Sequence, residues 1–254
     1  MNRISAFSVR NIKELLRDPL SYIFCLGFPL VMLVIMTLVN ESIPAQAGMT
    51  IFRIDNLAGG IAVFGLTFVM LFTCMGISKD RAGAFLTRLY ASPMRSADFI
   101  LGYTVPMFLL CVIQIVITFI ASFIVSLITG VELSAAGLLL SLAALLPSAL
   151  MMTGFGLLFG SLFGEKAAPG LCSIVISLAS FLGGVWFDAD STGGVLLDIC
   201  RVLPFYHSTR AARAAAAFDF ETCLPSLLIT LAYMAAVMAA AIAVFRIKMR
   251  ADAE

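Results

Sequence analysis

The sequence predicts an all-α polytopic membrane protein with six transmembrane helices. Hydrophobic residues make up 61% of the 254 residues and charged residues only 12%, whereas soluble domains carry about 25% charged residues. The mean hydropathy is +1.07. Long apolar segments recur along the chain, and a helix needs ~20 such residues to cross the hydrocarbon core. A single transmembrane domain, residues 1–254, accounts for this length.

Residues 1–18 form a basic and amphipathic leader. Apolar side chains stand among four basic ones at roughly helical spacing, which predicts a helix in the membrane interface. Ala45-Gln46-Ala47 resembles a signal-peptidase site. The apolar run and the charged leader are both longer than those of a signal peptide, so we expect the leader to be retained.

Six apolar segments follow the leader. The predicted spans cover residues 20–39, 57–78, 99–128, 134–163, 169–187 and 223–245. Residues 188–222 are amphipathic but too interrupted to cross the membrane. Small residues four apart allow helices to approach closely, and the fourth span has three of them, Gly156, Gly160 and Gly164.

Residues 79–98 are the one long polar interruption in the first half of the chain. They hold four basic and two acidic residues. Ser78 is expected to cap a short amphipathic helix here, which the Ser92-Pro93 pair ends because proline disfavours the α conformation of its predecessor. The segment therefore predicts a docking surface for a partner, and a solvated loop is the alternative.

The basic residues are distributed unevenly between the two sides of the predicted bundle. With the leader on the inside, 12 of the 16 Lys and Arg residues lie on that side. The positive-inside rule therefore places both termini and residues 79–98 in the cytoplasm.

The chemistry of the spans argues against an ion-coupled transporter. The six predicted spans contain no Asp, Glu, Lys, Arg or His, and Gln114 is their one side-chain amide. Ion-coupled transporters place ionisable groups in the membrane as relays. The chain also lacks a Gly-x-x-x-x-Gly-Lys-Ser/Thr phosphate loop. An ATP-driven mechanism would need a second polypeptide, so we expect no cofactor on this chain.

The cysteines and the single histidine form no recognisable site. The six cysteines show neither a CxxC pair nor a metal-binding spacing. Cys200 and Cys223 flank an outer segment, where either a disulfide or, in preference, two free thiols fits the spacing. His207 stands among scattered acids, a pattern more typical of polar surface than of a catalytic or metal site. We therefore expect no catalytic residue, no metal ligand and no nucleic-acid partner.

Residues 79–102 resemble the cytoplasmic loop of ABC-2-type transporter permeases. The matching positions are Asp80, Gly83, Leu89, Ser92, Pro93, Leu101 and Gly102. The order of the leader, the six spans and an outer segment before the last span is similar as well. The resemblance implies that residues 188–222 form an outer re-entrant helical hairpin between spans five and six.

The resemblance also implies a role for residues 79–98. They would form a coupling helix held in a groove of an ABC ATPase subunit, whose ATP-driven closure would move the spans. The ATPase-coupling residues implied in this way are Asp80, Arg81, Gly83, Phe85, Arg88, Leu89, Ser92 and Pro93. ATP and Mg²⁺ are then expected on the partner ATPase.

A translocation path beside the second and fifth spans is a further implication of the resemblance. It would lie at the axis of a dimer. The residues expected to line it are Phe64, Phe68, Phe72, Met75, Phe181, Trp186 and Phe187. Contact with lipid and packing between helices are equally consistent with these aromatic residues.

The resemblance identifies the chain as the permease subunit of an ABC exporter in a bacterial or archaeal cell membrane. Its expected partners are the lipid bilayer, two ATPase subunits and a second permease, as a homodimer or as a heterodimer with a sibling. An apolar, uncharged path favours an amphiphilic or hydrophobic cargo, such as a drug, an antimicrobial or a lipid-like molecule. Multidrug efflux is one such use. The alternatives are a polysaccharide or glycolipid exporter and an ATP-independent membrane scaffold or enzyme.

Overall fold

The protein is a bundle of helices in the computed structural model, which describes residues 3–44, 49–83 and 96–251. In chain order the helices are α1 Arg3–Leu16, α2 Pro19–Ser42, α3 Ile54–Ala82, α4 Ser96–Thr129, α5 Ala135–Leu162, α6 Ala168–Leu182, α7 Ala189–Thr192, α8 Gly194–Val202, α9 Pro204–Ala216 and α10 Phe220–Ala251. No strand occurs within the ranges that the structure describes. The all-α class is therefore confirmed.

Among the residues that the structure describes, five helices are long and apolar enough to cross a membrane, namely α2, α3, α4, α5 and α10. The protein is a multi-pass membrane protein. The predicted fifth span corresponds to α6, which has only 15 residues. At 1.5 Å per residue this helix is about 22 Å long, shorter than the ~30 Å hydrocarbon core.

Helix α6 nevertheless runs along most of α3. Near the start of α6, Cys172 interacts with Cys74 of α3. Just beyond the end of α6, a Val185 methyl group lies 3.5 Å from where a Cβ on Gly60 would be. Fourteen residues of α3 separate these two contacts, which is about 21 Å along its axis. The chain therefore passes from one end of the bundle toward the other at α6.

Helix α3 is the centre of the bundle, and nearly all of its apolar residues are buried. It packs against α5, α4, α6 and α9. A Cβ on Gly156 of α5 would lie 2.5 Å from the Thr73 Cβ, and one on Gly160 would lie 2.8 Å from the Cys74 carbonyl oxygen. The predicted close packing is confirmed at these two glycines. It is wrong for Gly164, which follows α5 and has no atom within 4 Å of its Cβ position.

Helix α3 extends further into the polar segment than the sequence predicted. Ser78 does not start a helix, because α3 continues through it without a break to Ala82. The helix ends at Gly83, and glycine weakens a helix. Lys79, Asp80 and Arg81 therefore form the last turn of a membrane-spanning helix. Residues 84–95 lie outside the described residues, and α4 begins at Ser96.

The leader and the outer segment are both helical. The leader forms helix α1, which buries Phe7, Ser8 and Asn11 on one face, and its position in the membrane interface stays a prediction. Residues 188–222 contain three helices, α7, α8 and α9, and α9 packs on α5, α10 and α3. Whether this segment re-enters the membrane stays a prediction. Cys200 and Cys223 are free, buried thiols in separate hydrophobic clusters.

Replacing Gly156 by Ala is expected to lower the free energy of unfolding by about 1–3 kcal/mol, because the new methyl group overpacks the contact between α5 and α3. The Met70 carbonyl oxygen lies 2.7 Å from the Cβ position, and a backbone atom cannot move aside without separating the helices. Denaturant titration in detergent micelles measures the change.

Gly170→Ala is the matched control, since Gly170 is also helical but has no atom within 4 Å of its Cβ position. Alanine there is expected to leave stability unchanged or raise it by up to ~1 kcal/mol. Equal unfolding energies for the two variants would contradict the packing between α3 and α5.

Candidate functional site

Asp80 is the central residue of a polar cluster where α3 ends. It lies in the last turn of α3 and is only 8% exposed. The dipole of a helix disfavours a carboxylate at its C-terminal end. Arg10 of α1 compensates for this, because its Nη1 donates to Oδ2 at 2.7 Å and its Nη2 donates to Oδ1 at 2.9 Å. Such a bidentate pair fixes orientation as well as distance.

Two further side chains support this ion pair. The Tyr103 hydroxyl of α4 donates to Asp80 Oδ2 at 2.7 Å. The Arg10 guanidinium also pairs with Glu14 at 2.8 Å. Burial opposes the charge of Arg10, but its hydrogen bonds to Asp80 prevail and raise its pKa above the ordinary value. Arg10 therefore keeps its positive charge in this partly buried position.

Gly102 of α4 forms a second contact with α1. Pro106 has no N–H group, so the Gly102 carbonyl lacks its usual helical donor, and the Asn11 Nδ2 donates to this oxygen at 2.8 Å. A Cβ on Gly102 would lie 2.1 Å from Cδ1 of Phe7. The Phe7 ring also meets Tyr103 edge to face, with ring centroids 5.0 Å apart. Only glycine at position 102 leaves room for this contact.

These contacts bind α1 to both α3 and α4. We call the residues that make them the anchor cluster: Phe7, Arg10, Asn11, Asp80, Gly102 and Tyr103. Asp80 and Gly102 are two of the positions that carry the resemblance described above, and both contact the leader helix. The anchor cluster therefore gives these two residues a structural role within the chain.

Arg81 extends the connection to α5. Its Nη1 donates to the carbonyl oxygens of Gly160, at 3.1 Å, and of Ser161. These carbonyls belong to the last turn of α5, where helical partners run out, and a basic side chain commonly satisfies them. Gly83 follows with an extended backbone and is exposed. The remaining predicted coupling residues, Phe85, Arg88, Leu89, Ser92 and Pro93, lie outside the described residues.

The predicted path residues divide into two groups. Phe64, Phe68 and Trp186 come together, with Phe64 5.1 Å from both of the other rings. Phe24 and Phe28 of α2 join them, and Phe72 contacts Phe24 at 6.4 Å. We call Phe24, Phe28, Phe64, Phe68, Phe72 and Trp186 the aromatic cluster. It connects α2, α3 and the turn after α6.

The other three predicted path residues do not join the aromatic cluster. Phe181 is 61% exposed on α6, and Met75 is 38% exposed on α3. Phe187 packs with Ala189 and Tyr206 in the outer segment. The path role of all seven residues stays a prediction, and packing within one chain already accounts for the burial of Phe64 and Phe68.

Comparison with known families decides what kind of protein carries this site. The sequence matches the family described as ABC-2 type transporter over residues 2–217. The chain belongs to the ABC-2 type transporter family. Permeases of this family work with ATPase subunits in ABC transporters and are not themselves catalytic. No curated protein matches the sequence.

The outer segment of this ABC-2 permease contains a second set of charged residues. Arg213 Nε donates to the Asn56 carbonyl at 2.8 Å, at the start of α3. Burial lowers the pKa of Arg213 to about 10, although Asp188, Asp190 and Asp55 favour its charge. The Tyr206 hydroxyl donates to Asp190 at 2.6 Å. The Arg213 contact fixes α9 to the start of α3, and the Tyr206 contact fixes α9 to α7.

His207 lies in the same segment and is buried, so it is not the polar surface that the sequence suggested. Its Nε2 lies 2.8 Å from the Arg201 carbonyl oxygen, to which it donates. Burial lowers its pKa, which keeps it neutral at pH 7. Within the described residues, no group of three His, Cys, Asp or Glu side chains is arranged to hold a metal ion.

Sequence reasoning missed Arg10, Asn11 and Tyr103. In the sequence, Arg10 contributed only to the positive charge of the leader, but in the structure it pairs with Asp80, 70 residues away. Pro106 inside the third span was a usable signal, since it predicts a free carbonyl at Gly102 that needs a donor. Nothing in the sequence indicates that this donor is Asn11.

The ion pair between Arg10 and Asp80 is expected to contribute about 1–3 kcal/mol of coupling energy in a double-mutant cycle with Arg10→Gln and Asp80→Asn, because both partners lose surrounding water on folding. Unfolding in detergent micelles, followed by denaturant titration, gives the four free energies that the cycle needs.

The ion pair between Arg53 and Asp55 is the matched control. These residues are two positions apart in the chain, and the Arg53 side chain is 51% exposed. The same cycle there is expected to give less than ~0.5 kcal/mol. Coupling energies of equal size at the two sites would show that the Arg10–Asp80 pair does not anchor α1.

Proposed function

We propose that this ABC-2 permease is the membrane subunit of an ATP-driven exporter that moves an amphiphilic or hydrophobic compound out of the cytoplasm. ATP and Mg²⁺ bind to a separate ATPase subunit. Family membership supports the ATPase partner. The spans drawn from the sequence carry no Asp, Glu, Lys, Arg or His for coupling to an ion gradient.

The observation that carries this proposal is how the chain on both sides of residues 84–95 is held. On one side, Asp80 and Arg81 bind α3 to α1 and α5. On the other side, Gly102 and Tyr103 bind α4 to α1 and to Asp80. An ATPase that grips residues 84–95 would therefore pull on four connected helices at once. Movement of the ATPase would pass into the membrane through rigid elements.

The proposal includes six membrane crossings and cytoplasmic termini. Helix α6 is short, but the turn formed by residues 183–187 carries the chain further toward the outer end of α3, where Val185 lies beside Gly60. A crossing at α6 puts the leader and the end of α10 on one side. Twelve of the 16 basic residues then lie on that side, as the positive-inside rule requires of a cytoplasmic face in a bacterial or archaeal cell membrane.

A second permease copy is also part of the proposal. Helix α6 packs mainly on α3 and exposes one apolar stripe, in which Ile174 is 57% exposed, Leu178 43% and Phe181 61%. These residues follow one another at helical spacing and face away from the chain's own core. A second copy, identical or a sibling, would cover this stripe and place α3 and α6 beside the proposed path.

Charge reversal at Arg88 tests the coupling role. In a complex of the permease with an ABC ATPase that co-purifies with it, Arg88→Glu is expected to reduce permease-stimulated ATP hydrolysis at least tenfold, because the basic segment loses its complementarity to the groove. ATP hydrolysis in lipid nanodiscs is the measurement. Arg81 is unsuitable for this test, since its contacts with Gly160 and Ser161 hold α5.

Arg246→Glu is the matched control, because Arg246 is an exposed arginine near the end of α10. It should retain the stimulation seen with the wild-type permease. If both variants lost the stimulation of ATP hydrolysis equally, the effect would come from the overall charge of the permease. That result would reject a coupling role for residues 79–98. A wild-type permease that neither binds nor stimulates the ATPase would favour an ATP-independent scaffold or enzyme instead.

A further inference from the structure

A cavity of about 420 Å³ opens beside the anchor cluster, between α1, α3 and α4. Its volume lies within the ~300–1,000 Å³ range of small-molecule sites. One wall is apolar and consists of Leu15, Phe72, Met75 and Met107. Methionine side chains are flexible and polarisable, and they adapt to apolar ligands of different shapes. This wall therefore suits a hydrophobic chain rather than one rigid molecule.

The rim of the cavity is polar and richer in acids than in bases. The acids are Glu14, Asp18, Asp80 and Glu165, and the bases are Arg17 and Lys79. Arg10 lies behind this rim and pairs with Asp80 and Glu14. Glu165 has no ion-pair partner among the residues that the structure describes.

Two of the rim carboxylates, Asp80 and Asp18, are held in place by hydrogen bonds. Asp80 accepts hydrogen bonds from Arg10 and Tyr103. Asp18 accepts from the Leu20 N–H at 3.1 Å and from the Ser21 hydroxyl at 2.7 Å. Arg17 and Lys79 are exposed, as are Glu14 and Glu165. A positively charged group in the cavity would thus meet two fixed carboxylates, the carboxylate of Glu165 and the aromatic ring of Phe72; aromatic rings attract cations.

We propose that this cavity binds an amphiphile with a cationic headgroup. The headgroup lies among Glu165, Asp18 and Asp80, and the apolar chain lies along Phe72, Met75 and Met107. The inference rests on the proposed export function and names the chemical class of its cargo. It also places the cargo in contact with the anchor cluster, since three members of that cluster line the cavity, namely Asn11, Asp80 and Tyr103.

A pair of photoactivatable probes tests this inference on the purified chain in maltoside micelles. One probe is an alkyltrimethylammonium with a diazirine in its chain, and the other carries a hydroxyl group in place of the ammonium. Mass spectrometry of the labelled peptides is expected to find the cationic probe at Met75 and Met107, with labelling lost on addition of excess unlabelled alkyltrimethylammonium.

Glu165→Gln is expected to lower this labelling roughly fivefold at a sub-saturating probe concentration, because one nearby charge is removed from a partly exposed site. Glu132→Gln is the matched control, since Glu132 is an exposed acid in the connection between α4 and α5. It should label like the wild type. The hydroxyl probe should label the wild type and Glu165→Gln to the same low extent.

Three outcomes would overturn the inference. Labelling by the cationic probe could be the same in Glu165→Gln as in the wild type, or the hydroxyl probe could label as strongly as the cationic one. The label could also spread over exposed apolar positions such as Ile120 and Leu127, which shows partition at the surface alone. Since labelling does not involve the ATPase, its failure with intact ATPase stimulation rejects only the cargo class. Failed stimulation with intact labelling rejects the exporter function.

Discussion

The burial of one carboxylate at the C-terminal end of a helix determines how this end of the bundle is arranged. Asp80 lies where the dipole of α3 and the loss of surrounding water both disfavour a negative charge. The charge is stable because Arg10 meets both oxygens and Tyr103 adds a third donor. Helix α1 cannot lie elsewhere without leaving this charge uncompensated. An ion pair, and not only an apolar face, therefore determines where helix α1 docks.

Charged contacts hold the two ends of the bundle, whereas close packing holds its middle. Arg81 binds α5 at one end, and Arg213 binds the start of α3 at the other. Between them, Gly156 lets α5 approach Thr73 closely, and the Thr73 hydroxyl donates to the Val69 carbonyl of its own helix at 2.7 Å. A hydroxyl that donates to a carbonyl of its own helix has its hydrogen bond satisfied without linking two helices. The contacts between α3 and α5 therefore come from close packing in the middle of the bundle and from Arg81 at one end.

What the sequence predicted well depends on local patterns. Apolar length located five spans, the amphipathic period located α1, and the spacing of Gly156 and Gly160 predicted close packing. The boundary at Ser78 was wrong because polar residues were taken to mark the end of a helix, although Lys79 and Arg81 suit the last turn of α3. The anchor cluster could not be predicted, since composition and periodicity do not reveal which acid meets which base 70 residues away.

The proposed cation site and the anchor cluster share Asp80, and this has a thermodynamic consequence. A cation that draws the Asp80 carboxylate toward the cavity weakens its bond to Arg10, the contact that joins α1 to α3. Linkage is reciprocal, so any movement that loosens Arg10 from Asp80 strengthens cation binding by the same factor. In the proposed exporter, cargo in the cavity and a pull of the ATPase on residues 84–95 would both act on this ion pair. A coupled exporter needs such a shared element, because two sites influence each other only through a structure whose equilibrium both of them shift.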